Sequence, residues 1–102
     1  MDPIRILLVD DHRIITDGLL GLLTAVPDMT CVGTCVQGAE ALEALRHVAV
    51  DVVLMDIDMP VLDGIGALER IVRDHPHVKV IMLSMHDEPA MVQRVLHIGA
   101  AG

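Results

Sequence analysis

Four short apolar runs, each followed by a stretch with helical spacing, constrain this chain more than any other feature. The first, "IRILLVDD", holds five apolar residues among Ile4 to Val9 and stops at Asp10 and Asp11. A continuous apolar run of that length fits a strand buried on both faces. After it, Ile15, Leu19, Leu22, Leu23 and Val26 recur at helical spacing, and Pro27 and Asp28 close the segment. "MTCVGTC" reads as a second strand, and "GAEALEALRHV" as a helix with Ala41, Leu42, Leu45 and Val48 on one face. "DVVLM" is the third strand. The helix after it carries Ile65, Leu68, Ile71 and Val72, with Asp63 placed to cap its N-terminus and Pro76 beyond its end. "VKVIMLS" is the fourth strand, and Asp87, Glu88 and Pro89 open a fourth helix bearing Met91, Val92, Val95 and Leu96. Strand and helix alternating four times imply an α/β fold, a doubly wound parallel sheet with helices on both faces and right-handed crossovers. In such sheets ligands bind outside the carboxyl ends of the strands, near the switch in strand order.

A chain of 102 residues supports one hydrophobic core, and at 53% hydrophobic with mean hydropathy +0.58 it has ample material for it. The absence of Phe, Tyr and Trp leaves Val, Leu, Ile, Met and Ala to build that core and removes any platform for stacking single-stranded nucleic acid. Fifteen acids against seven Lys and Arg give a net charge of −8, a poor match to DNA phosphates and a good one to cations. The apolar runs are far below membrane-spanning length and "MDPIRILLVDD" lacks the features of a signal peptide, so the expected setting is the cytoplasm, without a membrane partner. Cys31 and Cys35, four apart, match neither a redox nor a zinc half-site; along a strand their Cα atoms lie roughly 13 Å apart, too far to bridge. Two free, partly buried thiols are expected. His75 and His77 flank Pro76 in a predicted loop and are given no metal role.

The chemistry-bearing residues fall where this architecture places ligands. Asp10 and Asp11 end the first strand, Asp56 ends the third, 46 residues beyond Asp10, and Ser84 ends the fourth. With the first and third strands as neighbours, three carboxylates converge and repel. A hard cation that keeps some of its waters, such as Mg²⁺, relieves that repulsion. A carboxylate beside it can attack phosphorus to form an aspartyl phosphate, while a hydroxyl such as that of Ser84 donates to the transferred group. Aspartates at strand ends are also common helix caps, and Asp11 and Asp63 taken singly fit that role. The pair together with Asp56 and Ser84 at one edge favours a site.

"ILLVDDH", "DVVLMDIDMPVLDG" and "VIMLS", in this order and spacing, resemble the receiver domain of two-component response regulators along the whole chain. The resemblance implies a flavodoxin-like receiver fold over residues 1–102. It also implies that Asp56 accepts a phosphoryl group from a sensor histidine kinase, with Asp10, Asp11, Asp56 and the backbone carbonyl of Asp58 binding Mg²⁺. Ser84 would be the switch hydroxyl, and Met59, Pro60, Asp63 and Gly64 would shape the loop after the phosphorylated strand. "DDH", "PDMTCVG" and "GAEAL" resemble regulators with a helix-turn-helix output domain, so DNA contact is expected only through a domain outside these residues.

The family's pattern continues past "GAAG" into a fifth strand ending in a lysine and a fifth helix, which this sequence does not contain. Lys79, the one lysine, starts its strand at the end opposite Ser84 and does not match. The domain is therefore expected to be C-terminally incomplete, with the far edge of the fourth strand unpaired and open to a second copy or another chain. Two rival readings are a receiver-like binding module without phosphorylation and an aspartate-nucleophile phosphatase. The second rests on "DID", which loosely resembles the haloacid-dehalogenase nucleophile motif but lies after the third strand instead of the first. On the receiver reading the chain is not a turnover enzyme.

Overall fold

The computed structural model describes residues 3–56, 64–83, 97 and 99–101. Four strands, β1 (Ile4–Val9), β2 (Met29–Cys35), β3 (Val52–Asp56) and β4 (Lys79–Leu83), pair in parallel in the order β2-β1-β3-β4. Three helices connect them: α1 (Arg13–Thr24), α2 (Gly38–His47) and α3 (Gly64–Asp74). The chain runs outward from β1 to β2 and then returns past β1 to β3. Right-handed crossovers on those two paths put α1 and α2 on opposite faces of the sheet, as a doubly wound sheet requires. Of the predicted fourth helix only His97, which is helical, is among the described residues; Met91 lies outside them.

The core sits between the sheet and the layer of α2 and α3. Leu7, Val9, Val53, Met55 and Val80 point from the strands into it and meet Ala41, Leu45, Ile65, Ala67, Leu68 and Ile71, all buried. Alternation sends Ile6 and Leu8 of β1 to the other face, where they are buried too. β1 is thus covered on both sides, which is why its run is apolar without alternation. α1 differs from the stripe its sequence suggests. Thr16, Leu19, Leu20 and Leu23 are its half-buried residues, whereas Ile15 and Leu22 lie on a flank and Leu22 is 68% exposed. The rotation follows from the two leucines at 19 and 20, either of which satisfies the helical period equally well.

Two glycines shape the sheet. The β1–β2 register shifts between Ile6 and Leu7, and there a Cβ on Gly33 would stand 3.3 Å from Leu7 Cδ1. Gly99 has φ +132°, and a Cβ on it would meet Val72 Cγ1 at 3.0 Å. That turn delivers Ala100 into the core and lets the Ala101 N–H donate to the Val80 carbonyl at 2.7 Å. At one position, Val80, the chain itself bonds to the far edge of β4 that the sequence leaves open.

Asp51 knits the amino ends of three strands. Its N–H donates to the Arg5 carbonyl at 2.9 Å, its own carbonyl accepts from Lys79 at 3.0 Å, and its carboxylate accepts from the Arg5 N–H and guanidinium. Cys31 and Cys35 are both free thiols, as their spacing predicts. Burial pushes the Cys35 thiol up to about 11, so it stays protonated and behaves as a small apolar side chain. Among the described residues no helix is long and apolar enough to cross a membrane.

Candidate metal and phosphoryl site

Strand register builds the site. Val9 pairs with Met55 across β1 and β3, so the next residues, Asp10 and Asp56, stand side by side at the carboxyl ends of the two central strands. The Asp10 N–H extends the ladder by donating to the Cys35 carbonyl at 2.9 Å, which pins Asp10 before the chain turns away. The turn takes three residues. Asp10 Oδ1 accepts the His12 N–H at 2.7 Å, and the His12 carbonyl accepts from the Thr16 N–H at 3.0 Å as the first bond of α1. Asp10 holds the turn, so the helix can begin at Arg13 although His12 gives it no side-chain cap.

Asp10 and Asp56 are 5% and 7% exposed, and the Asp11 side chain is about one-third exposed, at 32%. Carboxylates this buried require compensating charge or donors, because removing an ion from water costs several kcal/mol after relaxation, roughly. The ring of His12 faces all three. Its Nδ1 lies 2.9 Å from Asp10 Oδ1, 3.1 Å from Asp11 Oδ1 and 3.3 Å from Asp56 Oδ2. The hydrogen bond to Asp10 and the charge of Asp11 hold the His12 imidazole above its ordinary range. Even a protonated ring leaves these four side chains net negative. Their ligand atoms all lie within 4.8 Å of one another, a span that one divalent cation can bridge.

Of the residues singled out in the sequence, Asp10, Asp11 and Asp56 are brought together, and Gly64 is the first residue of α3. Asp58, Met59, Pro60, Asp63 and Ser84 lie outside the described residues. His12 has no role predicted from the sequence. Its signal was adjacency: a residue directly after Asp10-Asp11 and directly before a helix can turn its side chain back over the strand ends.

The profile of the response regulator receiver domain matches residues 6–102. UvrY, a response regulator of Escherichia coli K12, is 40% identical over 99 residues, which is 97% of this chain and 45% of that protein. The signal receiver domain of NarL from Mycobacterium tuberculosis superposes with a TM-score of 0.92 at 35% identity, over 100% of this chain and 82% of that one. The isolated receiver domain of RcsB from Salmonella enterica serovar Typhimurium, solved in the presence of the phosphomimetic BeF₃⁻, gives 0.90 at 25% identity, over 97% and 74%. This chain belongs to the response regulator receiver domain family. It spans less than half the length of the curated relatives it matches.

Proposed function

We propose that residues 1–102 form one phosphoacceptor unit in which Asp56 takes a phosphoryl group from the phosphohistidine of a sensor histidine kinase. An Asp56 carboxylate oxygen attacks phosphorus in line with the leaving nitrogen, the N–P bond breaks as the O–P bond forms, and the donor imidazole leaves. The observation that carries this reading is the convergence of Asp10, Asp11 and Asp56 within 4.8 Å at the carboxyl edge of the central strands. Mg²⁺ is the cation these oxygens suit, and when bound it neutralises charge on the transferring phosphoryl group. Asp10, Asp11 and Asp56 would hold it, and the Asp56 carboxylate is the group that attacks phosphorus. The resemblance adds the Asp58 carbonyl as a ligand, Ser84 as the hydroxyl that donates to the phosphoryl oxygens, and Met59, Pro60, Asp63 and Gly64 as the shape of the intervening loop.

The domain then acts in the cytoplasm, phosphorylation changes its surface, and a second copy docks beside β4. DNA is reached only through an output domain outside these residues. Incubation with acetyl phosphate and Mg²⁺ followed by intact-mass measurement tests the reading. A gain of one phosphoryl group that needs the metal and is lost in Asp56→Asn is expected; no gain, or a gain that survives the substitution, overturns it.

A further inference from the structure

We infer that the cavity at the amino end of the sheet, between the ends of α2 and α3, is an anion site that takes a small phosphate, held by Arg46, His47, His75 and His77. It lies at the end of the strands opposite the acidic cluster and is independent of the reading given to that cluster.

The lining carries it. The cavity has a volume of about 270 Å³, small for a ligand pocket, which suits an inorganic ion or a small monoester. Its polar side chains are Arg46, His47, His75 and His77, and no Asp or Glu lines it, although the chain has fifteen acids against seven Lys and Arg. Part of the wall is apolar, with Leu45, Val50 and Val78 buried, and charge-assisted hydrogen bonds are stronger against such a surface. Ala49 and Val50 also line the cavity, and among the described residues neither of these successive backbone N–H groups has a protein acceptor. Consecutive amides of this kind are a common component of oxyanion sites.

The donors are largely uncommitted. Arg46 meets Glu43 through Nη1 alone, at 3.5 Å, the far limit of a hydrogen bond, so the rest of its fork remains to grip two oxygens of one phosphate. His47 Nε2 lies 2.9 Å from Glu43 Oε1, which leaves Nδ1. His75 and His77 meet edge to face with ring centroids 6.3 Å apart, and among the described residues neither ring makes a hydrogen bond. Their turn is fixed, since the His75 N–H donates to the Ile71 carbonyl at 2.7 Å and the His75 carbonyl accepts from Val78 at 3.0 Å. The neighbouring acids are engaged: Glu43 with Arg46 and His47, Asp51 with Arg5, and Asp74 with Arg73. Cations in the last turn of α2 suit the helix dipole, which accounts for Arg46 and His47 but not for His77, three residues beyond α3. A metal ion would also find imidazoles here, but it would stand beside the Arg46 guanidinium, which has no lone pair to offer.

The test titrates the metal-free domain with inorganic phosphate at pH 7, ionic strength being held constant with sodium chloride, and follows amide and imidazole signals by ¹H–¹⁵N NMR. Saturable shifts at Ala49, Val50, His75 and His77 are expected. Arg46→Gln, at a side chain 70% exposed and so harmless to the fold, weakens the affinity by about tenfold, the loss of a charge-assisted hydrogen bond, and leaves labelling by acetyl phosphate and Mg²⁺ unchanged. His75→Ala combined with His77→Ala weakens it as well. Glycerol phosphate titrated in parallel separates the two sources of the ligand: tighter binding of the ester points to a phosphorylated metabolite, tighter binding of phosphate to the free ion, and either supports the site. Shifts no larger than those from chloride at the same ionic strength, an affinity unchanged in Arg46→Gln, or imidazole signals that move with Zn²⁺ and not with phosphate would each overturn the inference.

Discussion

The two ends of the sheet treat their carboxylates in opposite ways. At the amino end, Asp51 meets Arg5 one to one: Arg5 Nη2 is 2.9 Å from Asp51 Oδ1, Nε is 3.1 Å from Oδ2, and both side chains stand 41–46% exposed. At the carboxyl end, Asp10, Asp11 and Asp56 converge on one another and on a single imidazole edge, with two of the three nearly buried. The first arrangement is complete as it stands: a fork of donors matches a carboxylate, and nothing further is called for. The second gathers three carboxylates around one imidazole, a set of donors that suits a cation. That difference separates a structural acid from a functional one more sharply than burial alone.

The largest expected effect of breaking the carboxyl end is on cation binding. Asp10→Asn or Asp11→Asn lowers Mg²⁺ affinity by at least about tenfold by calorimetry, while Asp51→Asn leaves it unchanged. A change of similar size in Asp51→Asn would abolish the distinction between the two ends.

Stability gives the next effect, and its sign differs. Without metal, Asp56→Asn removes repulsion and stabilises the fold by about 0.5–2 kcal/mol in urea melts, as relief of strain at functional sites commonly does. Saturating Mg²⁺ reverses the order, because the wild type gains binding free energy that the variant lacks. A variant less stable than wild type in metal-free buffer contradicts an account in which repulsion among the three carboxylates outweighs what Asp56 gains from its contacts.

The smallest effect belongs to the amino end and depends on pH. Hydrogen bonds from the Arg5 guanidinium and N–H hold the Asp51 carboxyl down at about 2. Its folded value is depressed, so the stabilisation is present above the ordinary carboxylate range near 3.9 and is lost as pH falls toward about 2. The pair is exposed and screened by salt, so the effect is modest. The stability gap between wild type and Asp51→Asn should narrow across that window and be smaller at high salt. No gap at any pH would show that Asp51 acts through its backbone bonds to Arg5 and Lys79 alone.

Much of this was legible in the sequence because apolar period and strand ends are local signals. All four strands fall on the predicted runs, and β2 has the predicted bounds. The adjacency of β1 and β3, on which the convergence of Asp10 and Asp56 depends, entered the sequence reading only as a condition, since strand order is set by crossovers and not by any one segment. Two features escaped. The inward stripe of α1 is ambiguous because Leu19, Leu20, Leu22 and Leu23 satisfy two neighbouring faces, and only the docked helix selects one. His12 was missed because a lone histidine carries no period or spacing; its meaning comes from the three-residue turn that folds it back over carboxylates 46 residues apart. The contact of Ala101 with β4 depends on the φ of Gly99, which a sequence of small residues does not announce.

The account turns on Asp56 being the carboxylate that reacts and Asp10 and Asp11 being those that hold the cation. Reduction of the acetyl phosphate-treated domain with borohydride converts an acyl phosphate on aspartate to homoserine, and fragmentation of the peptides then locates it. Homoserine at position 56 alone, formed only with Mg²⁺ present, is the predicted result; homoserine at position 10 or 11, or an equal yield without Mg²⁺, would contradict it.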